Sequence, residues 1–253
     1  VDIAATGERT VPGLPLEEYW FARHEIAYRW IGARCRAEGH RRVVDAGAGE
    51  GYGTAMLAPA IALEYDTAVC QHLRDTYPGI PVVQANLAGL PLRSSSIDAI
   101  ACLQVVEHLW DLAGFLRDCR RALRPGGELI VTTPQRLTFS PGLARGEKPV
   151  NPFHVEEFDA EQLDALLRSV GFADVEMRGV HHGSRVAAWE AEHGSLVAAQ
   201  VEAAVTEHWA PDLRAFVQGI TPDDFLVDTS PLGPDDPRMA RAQDLLAIAR
   251  VST

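Results

Sequence analysis

The chain has 253 residues, 47% hydrophobic and 23% charged, which supplies a full core and leaves no compositional case for disorder. Its formal net charge of -12 argues against a nucleic-acid backbone or an anionic membrane surface as the main partner. No apolar run approaches the ~20 residues that cross a bilayer, and the polar start Val1–Thr10 lacks the apolar core of a signal peptide. The four cysteines, Cys35, Cys70, Cys102 and Cys119, show neither C-x-x-C nor metal-type spacing, so buried thiols in a soluble, cytoplasmic protein are expected.

In chain order, a helix is predicted from Leu16 to about Arg36, inside a cap formed by residues 1–41. From Arg42 to Val180 short apolar runs alternate with amphipathic segments. Strands are expected at Arg42–Ala46, Ala60–Glu64, Val82–Ala85, Ile97–Leu103, Glu128–Thr133 and Val175–Val180. The helices between them are expected at Gly53–Leu57, Thr67–Tyr77, Leu112–Leu123 and Ala160–Val170. Strands separated by helices require right-handed crossovers, hence an α/β, doubly wound, mainly parallel sheet covered by helices. Residues 135–158, with Pro141-Gly142, Lys148-Pro149 and Asn151-Pro152, form a loop long enough to act as a lid. Residues 181–242 read as a helical insertion, with helices around Val186–His208 and Pro211–Gln218 and then an irregular Pro/Asp-rich stretch. The run Leu245–Val251 returns to the sheet as its seventh strand. The whole is expected to be one domain, with a core formed by residues 42–180 and 243–253.

The most informative segment is Val43-Val44-Asp45-Ala46-Gly47-Ala48-Gly49-Glu50-Gly51-Tyr52-Gly53, a strand, a glycine turn and a helix start. Glycines allow a tight turn and a close approach of backbone to ligand. A dinucleotide turn of the G-x-G-x-x-G type would need glycine at Tyr52, or glycine or alanine at Thr54, and has neither. What remains, D-x-G-x-G-x-G, resembles the first motif of class I S-adenosylmethionine (SAM) methyltransferases. Four further segments resemble that family in order. They are Ile61-Ala62-Leu63-Glu64-Tyr65-Asp66, Gln84-Ala85-Asn86-Leu87 through Leu90-Pro91, Gln104-Val105-Val106-Glu107-His108, and Leu123-Arg124-Pro125-Gly126-Gly127-Glu128-Leu129.

The resemblance implies a Rossmann-like fold over about residues 42–180. It places the cofactor on Asp45, Ala46, Gly47, Gly49 and Gly51. Glu64 would accept the ribose hydroxyls, with Tyr65 against the adenine. Glu64 as a cap of the next helix is the competing reading, for which Asp66 is better placed. Asn86, where the family has an acid, would take the adenine amine, with Leu87 beside it. Leu103 and Gln104 would stand next to the methyl group. Tyr19, Arg23 or His24 would hold the carboxylate of SAM, unless that segment is simply an amphipathic helix with exposed cations.

If the acceptor is a hydroxyl, a base is expected. His108 ranks first, with a structural role as the alternative; His154 on the lid ranks second, and His181-His182 either line the acceptor pocket or begin the insertion. Gln104…Glu107-His108 also resembles a metal-binding stretch of ubiquinone-pathway O-methyltransferases. Gln104 replaces its first acid, so no metal is expected. The runs Glu8-Arg9-Thr10-Val11-Pro12-Gly13, Tyr19-Trp20-Phe21-Ala22-Arg23-His24 and Asn151-Pro152-Phe153-His154-Val155 look like actinobacterial methyltransferases of saccharides or natural products, the mycofactocin oligosaccharide methyltransferases among them. The expected partner is a small-molecule or oligosaccharide acceptor, with Trp189 and Trp209 either stacking on it or packing in a core. A homodimer is compatible with the exposed lid and insertion. Two other classes stay open: a catalytically idle interaction module and a nicotinamide-dependent oxidoreductase.

Overall fold

Strands β1 (Val43–Ala46) and β4 (Ile97–Leu103) are buried along their whole length, as strands covered on both faces must be. Alternate residues feed opposite layers of a computed structural model that describes residues 10–253. Glu8 and Arg9 of the predicted cap lie outside the described residues. On one face, Val43, Ala99 and Ala101 pack with Ala27, Tyr28 and Ile31 of helix α1 (Glu18–Ala37) and Leu57 of α2 (Tyr52–Leu57). On the other, Val44, Ile100 and Cys102 pack against helices later in the chain.

The remaining elements follow as β2 (Ala60–Glu64), α3 (Thr67–Thr76), β3 (Val82–Gln84), α4 (Leu112–Ala122), β5 (Leu123–Pro134), α5 (Arg136–Phe139) and α6 (Ala160–Ser169). After them come β6 (Asp174–His182), α7 (Ser184–His193), α8 (Leu196–Thr206), α9 (Pro211–Gln218), β7 (Phe225–Val227) and β8 (Asp244–Arg250). The sheet order is β3-β2-β1-β4-β5-β8-β6-β7. β3, β2, β1, β4 and β5 pair in parallel. β8 inserts antiparallel between β5 and β6, and β7 runs antiparallel to β6. The order reverses at β1, whose neighbours are β2 on one side and β4 on the other. In open α/β sheets that reversal leaves a crevice at the carboxyl ends of the strands, where ligands bind.

The sheet has eight strands rather than seven. The addition, Phe225–Val227, lies in the stretch expected to be irregular: three residues carry no readable period, and pairing with Val180–His182 makes them a strand. The expected helix Val186–His208 is two helices. Gly194 takes a φ of 86°, and the Ser195 side chain caps α8 by accepting from the Ala198 N–H at 3.2 Å. All four cysteines are buried and unpaired. Among the described residues no helix is long and apolar enough to cross a membrane.

One buried carboxylate ties the cap to the sheet. Glu128 on β5 accepts from Arg34 of α1 at 2.7 and 2.9 Å, from Arg250 of β8 at 2.8 Å, and faces the His40 ring at 3.3 Å. Burial pushes its carboxyl up, but the bonds from His40, Arg34 and Arg250 outweigh that and hold it well below the usual range. Glu128→Ala should cost about 1.5–3 kcal/mol in urea unfolding, because it removes the acceptor shared by the partly exposed Arg34 and Arg250 and the buried His40. The wild-type contribution is fully present above the ordinary carboxylate range near pH 4. It erodes as pH falls from there through the lower folded value, so the gap between wild type and variant should narrow in acid.

Candidate active site

The crevice at the order reversal begins with the glycine turn. Gly47, Gly49 and Gly51 carry φ values of 86°, 50° and 86°, which β-carbons resist. The turn borders a pocket of about 360 Å³ that Glu64, Leu103, Gln104 and His108 also line. Glu64 Oε2 accepts from the Gly49 N–H at 3.0 Å, and Oε1 accepts from the N–H groups of Tyr65 and Asp66 at 2.8 and 2.9 Å. Asp66, not Glu64, caps α3 by accepting from Ala68 and Val69.

Asp45 sits behind the turn. It is fully buried and accepts from the Thr54 hydroxyl at 2.6 Å and the Tyr28 hydroxyl at 3.3 Å. Burial raises its carboxyl to about 7, against the opposing pull of those two bonds. Ala46 is core. Tyr65 is 69% exposed and, with Asn86 and Leu87, stands outside the residues that line the pocket. The Asn86 carbonyl accepts from the Ala88 N–H at 2.9 Å, and Leu87 is buried in the core.

A second chamber of about 590 Å³ opens from the same edge. It shares Thr10, His24, Gln104 and His108 with the first, so these residues stand at the junction. Gln104, at φ 53°, donates to Thr132 Oγ1 at 3.2 Å and to Asp244 Oδ1 at 3.1 Å. His108 Nδ1 lies 3.1 Å from the carbonyl oxygen of Phe153, which only accepts, so that nitrogen carries the proton. The loop after α5, expected to act as a lid, is pinned here, because the Glu107 carbonyl accepts from the N–H groups of Val155 and Glu156.

His154 faces the Glu157 carboxylate through Nδ1 at 2.7 Å and the Asn151 amide through Nε2 at 3.1 Å, with its ring centre 4.9 Å from that of His108. Buried Glu107 accepts from Thr133 Oγ1 at 3.0 Å, and burial pushes its carboxyl up to about 7. Glu107, His108 and His154 each offer one ligand atom within 4.8 Å of the others. The expectation of no metal rested on Gln104 occupying an acid's place. The lid supplies His154 instead, and three donors meet after all.

At three places the structure decides between readings that the sequence left open. Arg23 is not an exposed cation: it is 4% exposed, 3.3 Å from Asp244, and borders the second chamber rather than the glycine-turn pocket. His181 and His182 line neither chamber but bond Asp228 and Glu190 at 2.9 Å, with His182 also 2.8 Å from the Tyr19 hydroxyl. Trp189 stacks on Phe216 in a core that residues 181–242 share with α1 and β6, and Trp209 joins it, as the packing reading of both had it. Sequence reading passed over Tyr28, Tyr52, Glu157 and Asp244: Tyr28 and Asp244 reach the site through partners distant in the chain, while Tyr52 beside the glycine turn and Glu157, three residues from His154, lay within local reach. His24, bonded to Thr10 at 3.0 Å, is lowered to about 3 by burial and by the charge of Arg23.

Residues 44–131 match the family described as a methyltransferase domain. A probable S-adenosylmethionine-dependent methyltransferase of Mycobacterium tuberculosis (strain H37Rv) is 46% identical over 229 residues, which are 88% of this chain and 81% of that protein. The chain belongs to the SAM-dependent methyltransferases. A probable methyltransferase of the same kind from Mycolicibacterium smegmatis is 44% identical over 96% of this chain and 93% of its own. A human mitochondrial ubiquinone biosynthesis O-methyltransferase is 31% identical over 126 residues, 46% of this chain and 34% of that protein. Among solved structures, a SAM-dependent methyltransferase of Thermotoga maritima, a possible histamine N-methyltransferase, superposes with a TM-score of 0.62. It is 19% identical and covers 92% of this chain and 93% of its own, a likeness of fold. The cofactor of this methyltransferase is SAM, and the nicotinamide and idle-module alternatives fall away.

Proposed function

We propose that this methyltransferase O-methylates a sugar or secondary metabolite, with His108 as the general base. The observation that carries the reading is the junction: Gln104 and His108 border both the glycine-turn pocket and the larger chamber. The first pocket fits the donor. A β-carbon built on Gly49 meets nothing within 4 Å among the described residues, so the turn leaves open space above itself. Gly47, Ala48 and Gly49 line its floor, and Glu64, whose Oε1 already accepts two N–H groups, keeps a lone pair on Oε2 for a ribose hydroxyl. SAM supplies an electrophilic methyl on a sulfonium. Leu103 and Gln104 close the pocket at the end of β4. With the proton on Nδ1 held toward Phe153, Nε2 of His108 is the basic nitrogen, suited to take the acceptor hydroxyl's proton as the new C–O bond forms. The test is incubation with methyl-labelled SAM and a panel of hydroxyl acceptors. The reading expects an alkali-stable methyl ether; label on nitrogen, carbon or a carboxylate ester contradicts it.

A second reading has one observation in its favour, the convergence of Glu107, His108 and His154. Two imidazoles and a carboxylate suit a borderline cation such as zinc, and the Nδ1 contacts with Phe153 and Glu157 are of the kind that orient ligating histidines. The same His108 nitrogen does not serve as ligand and base together. Methyl transfer is therefore expected to survive dialysis against EDTA. Loss of turnover with EDTA, restored by zinc in wild type but not in His154→Ala, would favour the metal.

A further inference from the structure

Two buried charged groups in the second chamber have side-chain atoms without a hydrogen-bond partner among the described residues. Arg23 lies with its guanidinium carbon 5.2 Å from the centre of the Trp20 ring and 4.8 Å from that of Phe139. Its Nε sits 3.3 Å from Asp244 as an ion pair, but Nε and Nη1 are both buried without a hydrogen-bond partner among the described residues. On the lid, Glu157 Oε1 faces His154, while Oε2 is buried and likewise without a partner. Both side chains border the chamber that reaches Gln104 and His108, and both are at least nine-tenths buried. A buried donor or acceptor left unmet is costly, more so when charged, and a ligand is the usual reason that one persists.

The two groups have opposite needs, and that narrows the ligand. An anionic acceptor answers Arg23 but brings its charge to the carboxylates of Glu17, Glu107 and Glu157 on the same walls. A cationic one answers Glu157 and leaves Arg23 unmet. A hydroxyl both donates and accepts, so neighbouring hydroxyls on one neutral ring meet both. The chamber's other surfaces suit the C–H faces of such a ring: Trp20 at one side and the stripe Val197, Val201 and Val205 of α8 at another. About 590 Å³ falls in the range of pockets for drug-sized ligands, larger than one sugar ring needs. We propose that this chamber is a subsite for a neutral saccharide, with Arg23 and Glu157 as the pair that reads its hydroxyls. The inference rests on the O-methylation reading and adds the acceptor's class and the residues that select it.

The test is calorimetry and saturation-transfer NMR on protein saturated with S-adenosylhomocysteine. The probes are maltotriose, cellotriose and mannotriose, with glucuronic acid, glucose 6-phosphate, glucosamine and catechol for contrast. At least one neutral trisaccharide should bind, and more tightly than the charged sugars or catechol. Arg23→Met and Glu157→Gln should each weaken it roughly tenfold, the effect of losing a hydrogen bond to a charged group. S-adenosylhomocysteine affinity should stay within about threefold in both variants. Glu157→Gln is nearly isosteric and guards against loss of fold in Arg23→Met, with cofactor binding as the check. The proposal is overturned if no neutral trisaccharide binds, if a charged sugar or catechol binds best, or if both variants bind sugar normally. It is also overturned if folded Arg23→Met loses the cofactor instead, which would assign Arg23 to the SAM carboxylate. Failure of wild type to bind S-adenosylhomocysteine would count against the donor-site reading, a separate result.

Discussion

Gly49→Leu is expected to weaken S-adenosylhomocysteine binding at least about 100-fold, some 2.7 kcal/mol, while the protein stays folded. The asymmetry comes from what surrounds each glycine of the turn. A β-carbon on Gly49 meets nothing within 4 Å among the described residues, so a leucine there projects into the space assigned to the donor. The fold bears only the strain of a side chain at φ 50°, about 1–2 kcal/mol, or roughly 2–8 °C in melting temperature for a chain of this size. Gly51 is the contrast. A β-carbon there falls 1.9 Å from Leu73 Cδ2 and 3.2 Å from the Tyr77 ring, and Leu73 is fully buried. Gly51→Ala should therefore lower stability and binding together. If Gly49→Leu bound the cofactor normally, the placement of the donor over this turn would be wrong.

His108→Ala is expected to reduce the rate of methyl transfer by about 10²–10⁴ with cofactor affinity little changed. The ring borders both chambers, and its contact with Phe153 turns Nε2 into the proton acceptor. A lid anchor would behave differently. The Glu107 carbonyl already holds the lid at Val155 and Glu156, so removing the imidazole leaves that tether in place. His154→Ala should cost less in rate, since Nδ1 of that ring is engaged with Glu157 and Nε2 with Asn151. Single-turnover rates for the two variants, with cofactor binding measured beside them, separate these roles. A near-normal rate for His108→Ala would return it to a structural part.

Much of the core was legible in the sequence because its signals are local. The strand-turn-helix from Val43 to Tyr52 announces itself through glycine spacing, and β4 through the apolar run Ala99–Leu103. Glu64 was placed at the strand end by counting residues, and Asp66 was recognised as the better helix cap. The parts that escaped depend on contacts between distant segments. Phe225–Val227 is a strand because β6 lies beside it, and three residues carry no periodicity of their own. The break at Gly194 is an exception, because Gly194-Ser195 carries its own local stop and cap signal, which the reading Val186–His208 passed over. Arg23 reads either as a ligand of the SAM carboxylate or as an exposed cation on an aromatic helix, and only the arrival of Asp244, 221 residues later, shows it as a buried ion-pair partner. The convergence of His154 with Glu107 and His108 likewise depends on how the lid folds back, which no spacing encodes.

The most direct test of the account is the crystal structure of the protein with S-adenosylhomocysteine bound. The account predicts the adenosyl group over Gly47–Gly51 with its ribose on Glu64. It also predicts the sulfur beside Gln104 and within about 7 Å of His108 Nε2, the span of an in-line methyl and an acceptor hydroxyl. A cofactor seated elsewhere along the sheet edge, or one whose sulfur points away from the chamber that holds Arg23 and Glu157, would contradict it.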